Sequence, residues 1–300
     1  MARVHIILGA DRYAPLPIVR KIGLAELMDA LAKGMDDFAA FPSHAIFLIV
    51  IYPILGLTLA AATLNYDLLP MLFPLAAGFA LIGPFAATGL YELSRRREQD
   101  HDISWTSVFD LTRSPSFGSI VALGLLLAII FVLWLAVARA IYVANFPYAP
   151  ATASLDFIEQ VFTTPAGWNL ILVGNGVGFL FAVVVFTISV VSFPLLLDRD
   201  VGAATALLTS IRVIIANPMT MALWGLIVAG LLVLGSLPFF LGLTVVLPLL
   251  GHATWHLYRK VVQPDLTASQ DYPSVTPKQR RYAAQFPASL FAGEDEQARS

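Results

Sequence analysis

Nearly all Lys and Arg residues of this chain fall on one side of a six-stretch hydropathy pattern, and that constrains the fold more than any other feature. Of the 18, five precede the first apolar stretch (Arg3, Arg12, Arg20, Lys21, Lys33) and four lie between the second and third (Arg95, Arg96, Arg97, Arg113). Two separate the fourth from the fifth (Arg199, Arg212), and six follow the sixth (Arg259, Lys260, Lys278, Arg280, Arg281, Arg299). Only Arg139 lies elsewhere. Loops that stay in the cytoplasm retain Lys and Arg while translocated loops lack them. The pattern therefore predicts a multi-pass inner-membrane protein with both termini in the cytoplasm.

Composition fits a bilayer as solvent. Apolar residues make up 58% of the chain and charged ones 13%, where a soluble domain carries about a quarter charged. A short apolar run ahead of the six, Ile6 to Leu8, is too short for the core of a removable signal peptide. With no cysteine, disulfides, thiolate metal sites and thiol catalysis are excluded. The net charge of −2 conceals the one-sided basic distribution, and no nucleic-acid partner is expected.

A helix needs ~20 mainly apolar residues to cross a hydrocarbon core of ~30 Å. Such runs occupy about 44–64, 70–91, 118–143, 168–193, 219–235 and 238–258. The last two are divided only by Gly235-Ser-Leu-Pro238, which reads as a turn. An N-terminal cytoplasmic extension (1–19), a six-span membrane domain (20–262) and a largely irregular cytoplasmic tail (263–300) follow. Between the third and fourth spans, Leu155, Phe157, Ile158, Val161 and Phe162 predict a surface helix in the outer loop.

Each pair of spans follows a segment of helical periodicity that stops at a proline. In the first, Leu24, Leu27, Met28, Leu31, Met35 and Phe38 oppose Glu26, Asp29, Lys33, Asp36 and Asp37, before Pro42. Shorter versions precede Pro115 and Pro218. The second span of each pair carries a late proline, Pro84, Pro194 or Pro248, and the run from Pro84 to Arg96 aligns without gaps on that from Pro248 to Lys260. Tyr91 meets Trp255, and Arg95 meets Arg259. The fold class predicted is all-α: six transmembrane helices arranged as three parallel repeats of an amphipathic interfacial helix and two spans, about an axis along the membrane normal. Tyr91 and Trp255 are then expected at the membrane interface, with Arg95 and Arg259 reaching headgroups.

The run Phe79 to Arg96, with Gly83-Pro84-Phe85, Gly89 and Tyr91-Glu92, preceded by Gly34-Met-Asp-Asp-Phe38, resembles a bacterial family of integral membrane proteins known as domain of unknown function 2189. The resemblance spans about 20–262. Some members carry the label of a cytochrome c oxidase subunit, so an association with a respiratory oxidase is implied. The chain lacks the intramembrane histidines of an oxidase core.

Chemistry-bearing residues are sparse. His252 and His256 share a helix face, and His44 lies at similar depth, but a zinc site needs further ligands; contacts with headgroups or loops are the alternative, and no metal or cofactor is expected. Asp100-His101-Asp102 reads as a solvated loop. Arg139, near the outer end of span three, either snorkels or binds an anionic group. Asn175, within Gly174-Asn-Gly-Val-Gly178, is the best polar candidate for a bundle interior, while the glycines suit helix packing. Glu92 stands at the cytoplasmic end of span two. Tyr91, Glu92, Arg95, Trp255, Arg259, Arg139 and Asn175 are thus the candidate ligand or lipid contacts. No phosphate-binding loop or hydrolase motif is present, and no span holds the Asp or Glu that a proton-coupled carrier commonly uses.

These observations favour a non-catalytic accessory or assembly subunit of a membrane complex, in contact with the bilayer and partner subunits. The alternative is a facilitative transporter or channel for a small or amphiphilic solute or lipid.

Overall fold

The computed structural model describes residues 16–40, 56–57, 69–100, 111–147, 155–238 and 241–264. Ten helices occupy them: α1 (Leu24–Ala40), α2 (Leu69–Ala86), α3 (Thr88–Glu98), α4 (Phe117–Asn145), α5 (Leu155–Thr163), α6 (Pro165–Ser189), α7 (Ser192–Asp198), α8 (Ala203–Ala216), α9 (Pro218–Ser236) and α10 (Leu243–Val261). Among the described residues the only extended pairing is an isolated antiparallel bridge, Val19 with Val262.

Local chemistry sets the helix ends. Gly23 N–H donates to Glu26 Oε2 at 2.8 Å, so the Glu side chain reaches back over the start of α1. Thr164 caps α6 by accepting from Gly167 N–H, with Pro165 at the first helical position. Pro218 likewise stands at the start of α9, without a side-chain cap. Gly202, at φ 76°, occupies the left-handed region between α7 and α8, where a side chain would be strained. The backbone breaks between α2 and α3 at Ala87, three residues past Pro84; Thr88 Oγ1 donates to the Phe85 carbonyl at 2.6 Å.

Three helical stretches among the described residues are long and apolar enough to cross a membrane: Phe117–Asn145, Pro165–Asp198 and Pro218–Ser236. They correspond to the third, fourth and fifth expected spans. The first expected span, with His44, lies outside the described residues apart from 56–57. The second is divided into α2 and α3, and the sixth begins later than expected, at Leu243. The outer-loop helix is α5, held by a cluster of Tyr142, Phe146 and Phe157 with ring centroids 5.6 to 5.8 Å apart.

α1 packs along the second half of α10, its most extensive partner. The two run antiparallel: Asp29 pairs with Lys260 near one end, and Asp37 meets His256 near the other. A Cβ on Gly34 would stand 2.7 Å from the backbone nitrogen of Ala253, so only glycine permits this approach. The face α1 buries is Leu27, Ala30, Gly34 and Asp37, whereas Leu24, Met28 and Met35 are exposed. α8 behaves alike, burying Ala206, Thr209, Ser210 and Val213 against α6 and α7 and exposing Leu208 and Ile215. Aligned on Gly23 and Gly202, the buried Leu27, Ala30 and Gly34 fall on Ala206, Thr209 and Val213. The sequence pattern located these helices, but it weighted the large apolar residues over the small ones that make the contact.

Candidate functional site

The chain resumes helically around or beyond each late proline, and the three resulting segments meet. α3, α7 and the latter half of α10 contact one another pairwise. Thr88 through Arg95 and all of α7 are buried, as are most residues from Pro248 to Val261. What they bury is unusually polar.

Glu92 is fully buried, accepting from Arg95 Nε at 2.8 Å and Nη2 at 3.1 Å, and from Arg96 Nε at 2.6 Å. Asp198, at the end of α7, accepts from the Tyr258 hydroxyl at 2.5 Å, with Arg199 Nε at 3.3 Å and Arg259 Nη1 at 3.5 Å. Arg259 Nε also donates to Glu98 Oε1 at 2.9 Å, and Trp255 Nε1 to the other Glu98 oxygen at 3.0 Å. Burial opposes the charge on Arg259, yet Glu98 and Asp198 outweigh it and raise its pKa above the ordinary value.

The fourth carboxylate, Asp37, joins three helices. It accepts from Ser94 Oγ at 2.5 Å, Arg97 Nη1 at 2.6 Å and His256 Nε2 at 2.8 Å. Burial alone would raise its pKa; hydrogen bonds from His256, Ser94 and Arg97 more than offset that and hold it below the ordinary carboxylate range. Asp37 is therefore an ionised, acceptor-only group. Ser94 Oγ lies 2.7 Å from His252 Nδ1, and the His252 side chain is fully buried. Nearer the helix ends, Lys260 holds Asp29 at 2.5 Å and lowers its pKa, burial opposing weakly.

A cavity of about 710 Å³ opens beside this cluster, with Asp37, Arg97, Glu98, His256, Arg259 and Lys260 in its wall. Arg20, Lys21, Glu26, Lys33 and Asp36 also line it. The groups present can exchange protons and bind ions. No group of three or more His, Cys, Asp or Glu is placed to hold a metal among the described residues.

Of the residues singled out in the sequence, Tyr91, Glu92, Arg95, Trp255, Arg259, His252 and His256 all come together here. Their setting differs from the expected headgroup contact. Tyr91 and Trp255 are buried, and Arg95, 2% exposed, turns inward. The cause is Glu92, which supplies a buried counter-ion one helical turn away. Arg139 and Asn175 lie apart from the cluster. Arg139 is exposed on α4 without an ion pair among the described residues. Asn175 is exposed on α6 instead of facing the interior, because its amide is satisfied locally by the Ile171 carbonyl at 2.7 Å. Of the glycine pair beside it, Gly178 packs on the Trp134 ring and Gly174 faces open space. Asp37, Ser94, Arg97, Asp198 and Tyr258 escaped the sequence reading as site residues. The Asp37 signal was its place on the Gly34 face of α1.

Residues 72–198 match the family described as predicted integral membrane protein, domain of unknown function 2189. That span is narrower than the resemblance in the sequence, yet it holds Glu92, Ser94, Arg95 and Asp198. Asp37 and His252 lie outside it. No curated protein and no solved structure matches the chain.

Proposed function

We propose that this chain is a non-catalytic accessory or assembly subunit of a bacterial inner-membrane complex, tied together at its charged cytoplasmic end and presenting its spans to neighbours. The supporting observation is a contrast in burial. Across their most apolar windows, Phe117–Asn145 and Pro218–Ser236 are only 22% and 17% buried against the rest of the chain, while α3, α7 and α10 enclose nearly everything past their prolines. A stand-alone transporter must bury span faces against one another to line a path. Spans left this bare meet lipid or the helices of another subunit. The charged cavity lies beside the cluster and a second one lies between residues 16–19 and the end of α8; neither runs between the spans, which gives the transporter reading less support.

The six-span, three-unit arrangement belongs to the same proposal. It is favoured by the pairwise meeting of the three post-proline segments and by the matching buried faces of α1 and α8. α1 packs against the last span of the third unit, and α8 against the last span of the second, a cyclic hand-over that a pseudo-threefold bundle requires. The basic residues at this end favour a cytoplasmic location for it.

Photo-crosslinking residues at Leu226 and Val233, both exposed on α9, provide the test. In native membranes they should trap one partner protein that also co-purifies with the intact chain at fixed stoichiometry. Adducts with lipid alone, on a protein recovered as an isolated monomer, would overturn the reading.

A further inference from the structure

The hydrogen bonds around Asp37 have a fixed polarity. Ser94 owns one hydroxyl hydrogen and faces two groups, the Asp37 carboxylate at 2.5 Å and His252 Nδ1 at 2.7 Å. An ionised carboxylate only accepts, so the Ser94 proton goes to Asp37. His252 Nδ1 must then donate to Ser94, which fixes the Nδ1–H tautomer. His252 Nε2 is left as a bare lone pair, buried and with no partner among the described residues. Buried polar atoms are seldom orphaned, and one that closes a directed chain of hydrogen bonds has a reason to be there. The other end of the chain is open, because Asp37 and His256 stand in the wall of the charged cavity.

We propose that His252, Ser94 and Asp37 form a proton relay, in which the bare Nε2 of His252 accepts a proton on the interior side and Asp37 delivers one to the charged cavity. The donor is a water molecule, a hydronium ion or a Brønsted acid reaching Nε2. As the N–H bond forms there, the Nδ1–H bond breaks toward Ser94 Oγ. The hydroxyl hydrogen of Ser94 passes to Asp37 Oδ2, and the neutral acid releases a proton to cavity water. One proton enters, one leaves, and no electrons are transferred. The reverse sequence loads His252 from the cavity and restores the starting tautomer.

The charges around the path suit this task. From α1 comes Asp37 itself, from α3 Arg97, and from α10 His256, the last two donating to Asp37 and holding it as an anion ready to accept. Glu92 pairs with both Arg95 and Arg96 on α3, and Asp198 of α7 is engaged by Tyr258, Arg199 and Arg259. Among the described residues Phe117–Asn145 and Pro218–Ser236 carry no carboxylate and Pro165–Asp198 carries one only at its last residue, so the buried His252 imidazole is a group through which a proton could enter the helical interior. That activity goes beyond a subunit's structural role and does not depend on it.

The test is ¹⁵N-histidine NMR of the full chain in lipid nanodiscs, with the His252 signals assigned by their loss in His252→Gln. At neutral pH the ring should carry its proton on Nδ1 and exchange with the Nε2–H form. Ser94→Ala should slow that exchange by about tenfold or more, as expected for removing a group that carries the proton, whereas Ser94→Thr, which keeps the hydroxyl, should retain the rate. A wild-type ring protonated on Nε2, a ring locked in one tautomer, or equal rates in the Ala and Thr variants would each overturn the relay.

Discussion

Replacing Glu92 by Gln tests whether the buried charges hold the helix ends together. Glu92 is fully buried and its principal partner Arg95 is 2% exposed, so solvent screens neither. The carboxylate grips Arg95 through two hydrogen bonds, at 2.8 and 3.1 Å, and Arg96 through a third at 2.6 Å. A neutral amide keeps the shape but removes the carboxylate charge that Arg95 and Arg96 share. Breaking a buried pair by removing one partner costs about 3–5 kcal/mol, and Glu92→Gln should fall in that range. Replacing both Glu92 and Arg95 by Leu removes the stranded charge as well, and such swaps are often neutral or stabilising. The double variant should therefore recover most of the loss, with an interaction energy near the upper part of the usual 0.5–3 kcal/mol for contacting residues, about 2 kcal/mol or more. Reversible unfolding in mixed detergent micelles, followed by far-ultraviolet circular dichroism, gives both numbers. A Glu92→Gln variant within about 1 kcal/mol of the parent, well under the cost of breaking a buried pair, would refute the reasoning. So would a double variant no more stable than the sum of the singles.

Three further outcomes are checked by the same unfolding assay. Gly34→Leu forces a side chain into the Ala253 backbone and should destabilise by at least the 1–3 kcal/mol typical of overpacking, while Ala39→Leu, on the exposed side of α1, should change little. The folded-state pKa of Asp37 is depressed, so its contribution is present above the unfolded carboxylate pKa of about 4 and disappears as pH falls through the lower folded value; Asp37→Asn should remove that acid-side loss. Arg139→Leu removes an exposed cation with no ion pair among the described residues and should shift stability by no more than about 0.5 kcal/mol, as surface substitutions do; a loss above about 2 kcal/mol would reveal a partner.

Much of the helix plan was legible because its signals are local. The proline that follows α8 and the apolar runs of α4, α6 and α9 all act within a few residues, while the segment expected before Pro115 lies mostly outside the described residues. The site was legible only in part. Tyr91, Glu92 and Arg95 stood out by motif, and Trp255 and Arg259 by their match to it. Their burial did not, since snorkelling is the usual course for a cation at a helix end, and only the Glu92–Arg95–Arg96 spacing hinted at an inward ion pair. The Asp37–Ser94–His252 chain was hidden because it joins residues 57 and 158 positions apart. Nothing in a one-dimensional pattern ranks one interfacial Ser above another. On α1 the large apolar stripe of Leu24, Met28 and Met35 dominates any periodicity, although Ala30 and Gly34 decide where the helix sits.

That inversion follows from the solvent. In a bilayer, burying Leu against another helix gains little over burying it in acyl chains, so association depends on close approach of small residues and on polar groups that must find partners. Gly34 supplies the first for α1, and Thr209 and Ser210 supply both for α8, whose Ser210 hydroxyl accepts from Val191 N–H and donates to the Thr187 carbonyl. The charged residues then fix register. Displacing α1 along α10 by one turn, about 5.4 Å, would carry Asp37 out of reach of Ser94, Arg97 and His256 together and Asp29 out of reach of Lys260. Each stranded charge opposes the slide, so the network specifies one arrangement among several that the apolar surfaces alone would accept nearly equally. The same requirement explains why a carboxylate stands where the relay needs an acceptor: Asp37 is held ionised by the contacts that lock the helices, and the polarity of the Ser94–His252 hydrogen bond follows from that charge.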